Sequence, residues 1–319
     1  MSRTLSGRGR CTVLTPTVQS IPANRTTQLP PPRAISGIPG RGGSLSLPMR
    51  LEVVLPDESP TMPARRIAEL ARAAEDLDYD TAWLPDHILP PDEYGAVFGG
   101  VYEPLVTIGH LSAATRRLRL GTSVLVVPLR DPFVLAKQVA TLHHLSEGRF
   151  VLGVGVGWNE QEFQAVGAEY PRRGAITDDT LDLLRHLLAG GAAPYRGRRY
   201  SFDVGVFEPV PAGPVPLMVG GNSDAALRRA ARHGDSWQGL PTSPPVFAER
   251  ASALAALAGD RHVTPTLRIG WDGGGPVERT VDDLLAYREA GAEAVAVHFG
   301  DHEGFAQRME ELRRALDTL

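Results

Sequence analysis

The sequence predicts a (β/α)8 barrel, and three observations lead to it. From residue 50 onward, short β-branched apolar runs alternate with longer stretches of helical period, the signature of a parallel sheet with crossover helices. The alternation counts to eight. With 319 residues, 42% of them hydrophobic, the chain is long enough to bury a full-sized core as one domain.

Taken in order, the strand candidates are LEVVL (51–55), DTAWL (80–84), RLGTSVLVV (119–127), RFVLGVG (149–155), PLMVG (216–220), DSWQG (235–239), TLRIG (266–270) and AVAVHF (294–299). Between them lie ARRIAELARAAEDL, DPFVLAKQVATLHHL, DAALRRAARHG and VDDLLAYREAG, all of helical period. Two of these end in glycine, where a C-terminal cap places it, and Asp131 with Pro132 gives a third its N-cap and first turn. The segment from Trp158 to Val215 is longer than one crossover, and its YRGRRYSFDVGVFEPVP reads as a hairpin. It is expected to be a rim insertion after the fourth strand.

Composition excludes several classes of partner. A net charge of -4 gives no field that would gather nucleic acid or an anionic membrane surface, so a small-molecule substrate is expected. No apolar run reaches the roughly 18 residues of a membrane helix, and Cys11 has no second cysteine to pair with. A cytoplasmic protein is expected. Residues 1–48 differ from the rest, carrying six arginines and no acid among repeated Pro, Gly, Ser and Thr. Such a segment buries too little apolar surface to fold. It faintly resembles a transit peptide, but the expectation is a disordered upstream extension, with Met49 as the natural start and 49–319 as the folded domain.

Active sites of such barrels lie at the C-terminal ends of the strands, and that selects a few residues. The second strand runs directly into Asp86 and His87. An imidazole there exchanges protons near neutral pH, and the neighbouring carboxylate would orient it. An N-cap aspartate beside a surface histidine would leave the same letters. In the third strand Gly121, Thr122, Ser123 and Val124 interrupt an apolar run, marking either a bulge that walls a flat ligand or a tapering core. His298 ends the eighth strand with His302 following, but no HExxH-like spacing supports a metal pair and none is expected.

Two glycine-rich strand ends remain. In RFVLGVGVGWNEQEF the dinucleotide fingerprint fails in every register: from Gly153 its last glycine would be Trp158, and from Gly155 it would be Glu160. Glu160 and Glu162 suit a helix N-terminus and would repel a phosphate. Gly155 and Gly157 are therefore expected to clear room for a ring system. After the fifth strand, Gly220, Gly221 and Asn222 lead into a helix capped by Asn222 or Ser223, a turn that offers free N–H groups to a phosphate. A plain βα turn needs the same residues.

Three blocks, AAEDLDYDTAWLPDHI, LRLGTSVLVVPLRDPFVLAKQVATLHHLSEGRFVLGVGVGWNEQEF and PLMVGGNSDAALRRAARHGDSWQ, together resemble the bacterial luciferase-like superfamily. The resemblance is closest to its oxidoreductases that use the deazaflavin coenzyme F420. It implies a TIM-type barrel with the ring across its C-terminal mouth and hydride transfer at the ring. Asp86 and His87 would lie beside the reactive face, a non-prolyl cis peptide at Ser123–Val124 would form the wall, and Thr122 would be part of it. Trp158 and Asn159 would line the cleft, and Gly220, Gly221 and Asn222 would hold the phosphate.

Two positions depart from the family's patterns. A glutamate of the sugar-phosphate dehydrogenases is replaced by Trp158, which puts that acid role in doubt. A tyrosine that commonly follows the arginine at the position of Arg173 in the flavin monooxygenases is replaced by Gly174. The rival readings are an FMN-dependent monooxygenase fed by a cofactor reductase, and a non-catalytic flavin-binding barrel. An unrelated phosphate-using barrel such as an aldolase would need a strand-end lysine, but Lys137 falls within a helix. The resemblance also allows a homodimer.

Overall fold

A computed structural model describes residues 49–319, apart from 57, 59, 60 and 192 and the side chain of 96. The expectations placed on 1–48, including Cys11 and the Met49 start, lie outside the described residues. The barrel is built from β1 (Arg50–Val54), β2 (Thr81–Leu84), β3 (Arg119–Thr122), β4 (Leu125–Val126), β5 (Phe150–Gly155), β8 (Leu217–Gly220), β9 (Ser236–Gly239), β10 (Thr264–Gly270) and β11 (Ala294–His298). All neighbours run parallel, in the order β3-β2-β1-β11-β10-β9-β8-β5-β4, and β3 also pairs with β5, which closes the ring. Since β3 and β4 both lie on β5, they are two halves of one interrupted strand, and the barrel has eight. Every predicted strand is found, with ends shifted by two residues or fewer except at this interruption.

Each strand presents alternate residues to two layers. Val54, Trp83, Val151, Met218 and Ala296 pack inside the barrel, whereas Val53, Leu120, Leu152, Val219, Leu267 and Val295 face the surrounding helices. The outer layer holds the largest buried rings, Phe150, Phe247, Phe299 and Phe305 among them. Each full burial of that size contributes about 1.5–3 kcal/mol, so the contact between sheet and helices, more than the narrow interior, stabilises the fold. The crossover helices include α1 (Ala64–Asp76), α3 (Pro104–Ala114), α4 (Pro132–Leu145), α6 (Arg173–Leu188), α7 (Asp224–His233), α8 (Pro244–Ala258), α9 (Val277–Glu289) and α10 (Phe305–Asp317). Asp131 caps α4 through its carboxylate, which accepts from Phe133 N and Val134 N. Of the two expected glycine caps, Gly291 has φ +95°, the left-handed conformation, but Gly234 is extended with φ -80°.

The insertion after β5 has two parts. A short helix, α5 (Glu160–Ala165), stands at the rim, and the expected hairpin, β6 (Tyr195–Arg196) with β7 (Ser201–Phe202), comes after α6. Tyr200 and Phe202 meet Phe133 of α4 edge-on, and Arg199 reaches Glu169 at 2.9 Å. The hairpin therefore packs on the outer helix layer and leaves the rim to α5.

At the interruption the Ser123–Val124 peptide is cis, where the resemblance puts it. Val124 projects into the inner layer, and the glycines around it are explained by its side chain. A Cβ on Gly155 would sit 2.4 Å from Val124 Cγ2, and one on Gly220 would sit 2.5 Å from Val124 Cγ1. Gly153 is constrained more tightly, since its Cβ would fall 1.7 Å from the Thr122 carbonyl oxygen. Gly121 faces Trp83, whose ring would be 2.5 Å from an added Cβ. The expectation that Gly155 clears room for a ring system is thus corrected: the room is taken by Val124.

One acid lies in the inner layer. Glu52 is buried and accepts a 2.7 Å hydrogen bond from Trp83 Nε1. Burial pushes its carboxyl up from 4.5 to about 7, against the lowering effect of that bond.

Two outcomes follow from this packing. Gly155→Ala and Gly220→Ala are each destabilised, and pairing either with Val124→Ala restores most of the loss. Gly153→Ala is not rescued in that way, because the obstacle is backbone; urea unfolding of the single and double variants reads the difference. For Glu52, a raised folded-state value means that its contribution to stability is fully present below pH 4.5 and is lost as pH rises through about 7. The shift corresponds to about 3 kcal/mol. Glu52→Gln removes this slope and is more stable than wild type at pH 8; an unchanged slope in urea titrations between pH 5 and 8 would show that Glu52 is not its source.

Candidate active site

Asp86 and His87 leave the end of β2 as expected, but they turn to different partners. Asp86, 4% exposed, accepts from Val126 N at 2.8 Å through Oδ2 and from Arg130 Nη2 at 2.6 Å through Oδ1. Before the interruption Ser123 N still donates to the Leu84 carbonyl at 2.7 Å; after it, the Asp86 side chain accepts in place of a backbone carbonyl. Burial raises the Asp86 carboxyl value, and Arg130 and the Val126 N–H partly offset this. Arg130 also donates to Glu103 at 2.8 Å, and Glu103 caps α3. The expected role of Asp86 as the group that orients His87 is corrected here. Both of its oxygens already serve the strand junction.

The carboxylate that meets His87 belongs to Glu162 of α5. Its Oε2 lies 3.4 Å from His87 Nδ1, a close approach short of hydrogen-bond geometry. Its Oε1 accepts from Ile88 N at 2.6 Å and Leu89 N at 3.0 Å. Burial pushes the Glu162 carboxyl up, but the His87 ring and the two N–H groups outweigh it, and the net value lies below the ordinary carboxylate range. From the sequence, Glu162 had been read only as a helix N-terminal acid. Its long-range partners are 73 and 74 residues away, so no local pattern announces them.

An aromatic wall closes this side of the mouth. His87 stacks on Phe98 of α2 (Gly95–Phe98) with centroids 4.4 Å apart and planes at 21°. Trp158 meets Tyr94 edge-on at 4.9 Å and His87 at 6.2 Å. Trp158 is 50% exposed, so its ring is open to solvent beside this wall. Neighbouring Asn159 is placed otherwise: its Oδ1 caps α5, accepting from Gln161 N and Glu162 N. Gly157, at φ +77°, lies against Phe163 and Val126, and its carbonyl accepts from Arg173 Nε at 3.2 Å.

The opposite side gathers Ser123 and His298, both singled out in the sequence, with Gln238 and Arg268, which were not. Ser123 Oγ donates to Gln238 Oε1 at 2.6 Å, and the buried Gln238 Nε2 is left without a partner. Arg268 reaches the Ser123 carbonyl at 3.4 Å and Glu58 at 3.5 Å. His298 Nδ1 accepts from Gly300 N at 3.2 Å, which puts the ring hydrogen on Nε2, and Nε2 is buried and unpaired. Burial, with Arg268 and Arg308 nearby, lowers the His298 value to about 4, so the ring is neutral at pH 7. Gln238 in SWQG and Arg268 in TPTLRIG are the long polar side chains of their strands, and their place near the strand ends is the signal available to find them.

Two expected contacts are already committed. Thr122 Oγ1 donates to the Gly153 carbonyl at 2.6 Å and accepts from Gly153 N at 3.0 Å, so it braces β3 on β5. Asn222 pairs with Leu240 through both ends of its amide, at 2.8 Å and 3.3 Å. Ser223 is the N-cap of α7. Gly221, at φ +115°, has only Ala226 near an added Cβ, and its N–H goes to the Gln238 carbonyl at 3.1 Å. The turn from Gly220 is therefore open on its outer side, but the Asn222 side chain is not free to hold a ligand.

Residues 47–318 match the family described as luciferase-like monooxygenase. An uncharacterized protein of Mycobacterium tuberculosis is 32% identical over 246 residues, covering 72% of this chain and 83% of that protein. An F420-dependent glucose-6-phosphate dehydrogenase of Kineococcus radiotolerans is 30% identical over 238 residues, 72% of this chain and 66% of that enzyme. Among solved structures, an F420-dependent secondary alcohol dehydrogenase in complex with an F420-acetone adduct superposes with a TM-score of 0.72 at 17% identity, covering 84% of this chain and 99% of the other.

The strand junction makes its own forecast. Arg130→Met leaves Asp86 buried without its counter-charge and costs about 3–5 kcal/mol of stability. Glu103→Gln keeps the cap oxygen on the more exposed arm and costs less than about 1 kcal/mol. Similar losses for the two in urea unfolding would deny Arg130 its special place.

Proposed function

Because the chain belongs to the luciferase-like monooxygenase family, we propose that it is an oxidoreductase that transfers a hydride between coenzyme F420 and a small organic substrate. The observation that carries the reading is the set of unsatisfied donors at the mouth. Gln238 Nε2 and the His298 Nε2–H are buried without acceptors, with the Arg268 guanidinium beside them. Buried donors are rarely left unpaired, and a planar heterocycle edged with carbonyl and imine acceptors is the complement of this set. Val124, filling the space over Gly155 and Gly220, gives such a ring an apolar floor.

When bound, a deazaflavin supplies or takes the hydride at its C5. The residues of the chain divide the remaining tasks. Phe98, Tyr94 and Trp158 wall off water on one side, and the donors orient the ligand on the other. His87 Nε2 holds the proton that accompanies the hydride. The N-terminus of α7, reached past the open outer side of the Gly220–Gly221 turn, offers N–H groups to a phosphate. F420 is favoured over FMN by the names of relatives such as the Kineococcus enzyme and by Gly174 in place of the monooxygenase tyrosine. Trp158 stands where the sugar-phosphate dehydrogenases have an acid, so the substrate is expected to differ from theirs.

Fluorescence titrations of the purified protein with F420, FMN and reduced FMN test the assignment. F420 is expected to bind at least tenfold more tightly than either flavin; preference for reduced FMN would instead indicate a monooxygenase. His87→Ala is expected to bind F420 within threefold of wild type and to lose about 100-fold or more in kcat. Undiminished turnover would remove His87 from the chemistry.

A further inference from the structure

We propose that Glu162 is a positioning residue whose two oxygens fix the segment 88–101 and the tautomer of His87 at the same time. The proposal rests on the reading of His87 as the proton carrier. Glu162 is 2% exposed, and its backbone N–H donates to Asn159 Oδ1 at 3.1 Å, which anchors the residue at the start of α5. Oε1 is fully occupied by the N–H groups of Ile88 and Leu89, at 2.6 Å and 3.0 Å. That leaves Oε2 facing His87 Nδ1 at 3.4 Å.

Nδ1 is the buried nitrogen of the ring and has no hydrogen-bond partner. A carboxylate is an acceptor only, so a neutral His87 facing it carries its hydrogen on Nδ1. Nε2 is then the lone-pair nitrogen that substrate can reach. When it accepts a proton, the ring becomes an imidazolium whose charge faces Glu162, and returning that proton restores the Nδ1–H form. Catalytic contacts of this kind are often long in a ligand-free protein and tighten on binding. Free rotation of the ring is opposed by the Phe98 stack at 4.4 Å and the Trp158 edge at 6.2 Å. The segment 88–101 supplies both Phe98 and the two N–H groups, so one carboxylate couples its placement to the chemical state of the ring.

The coupling gives Glu162→Gln an unusual consequence. Two backbone donors at the Oε1 position require an oxygen there, so the glutamine must place its NH2 group opposite His87 Nδ1. Nδ1 then becomes an acceptor and the ring hydrogen moves to Nε2, which blocks Nε2 as a base. The segment remains held.

The test uses full-length protein labelled with 15N-histidine, with His87 assigned by the resonances missing from His87→Gln. Expected are the Nδ1–H tautomer in wild type and the Nε2–H tautomer in Glu162→Gln. Hydrogen exchange at the Ile88 and Leu89 amides should stay within threefold of wild type in that variant and rise at least tenfold in Glu162→Ala. An Nε2–H ring in wild type, or the same tautomer in wild type and Glu162→Gln, overturns the proposal. So does unchanged amide exchange in Glu162→Ala. None of these readings requires coenzyme, so a chain that fails to turn over F420 would remove the proposed function while leaving this test intact. Where turnover is found, Glu162→Gln is expected to lower kcat at least tenfold with KM within threefold, and an unchanged kcat counts against it.

Discussion

The carboxylate of Asp86 carries the junction on which the barrel mouth depends. A strand broken at Ser123–Val124 leaves the Val126 N–H without a carbonyl partner from β2, and an unpaired buried N–H would cost about 1–3 kcal/mol. Oδ2 of Asp86 accepts that bond, and Arg130 balances the charge through Oδ1. With the break stabilised, Val124 can point inward. The glycines of β5 and β8 are then required, because any Cβ at Gly155 or Gly220 would strike it.

That junction also divides the polar residues of the mouth into two groups. Asp86, Thr122, Asn159 and Asn222 have their side chains engaged in the scaffold. Gln238 Nε2, His298 Nε2 and His87 Nδ1 are buried without a hydrogen-bond partner, and Arg268 makes only long contacts, to Ser123 at 3.4 Å and Glu58 at 3.5 Å. Satisfied groups stiffen the frame, and unsatisfied ones store the capacity to bind, since their desolvation cost is recovered when a partner arrives. Glu162 belongs to both groups: one oxygen holds backbone, and the other faces the His87 ring.

The fold was legible in the sequence to within a residue or two at most strand ends. Strands and crossover helices announce themselves through periods of two and 3.6 residues, and both are local properties. The interruption of the third strand was also visible, as small polar residues within an apolar run. What those residues meet was not. Gly155 reads as room for a ring, but Val124 fills that room, and Gly121, read as part of a wall or a tapering core, lies against Trp83.

For the site, sequence alone determined that Asp86, His87, Trp158 and the turn at Gly220 lie at the C-terminal ends of strands, because barrel topology puts every strand end on one rim. Only the tertiary structure decided their partners. Glu162 faces His87 across 75 residues of chain, and Ser123 meets Gln238 across 115. The physical reason is that hydrogen-bond pairing is set by where the closed barrel brings strand ends together in space. Sequence adjacency offered Asp86 as the partner of His87, whereas the geometry of the strand junction assigns Asp86 to the frame and brings Glu162 to the ring.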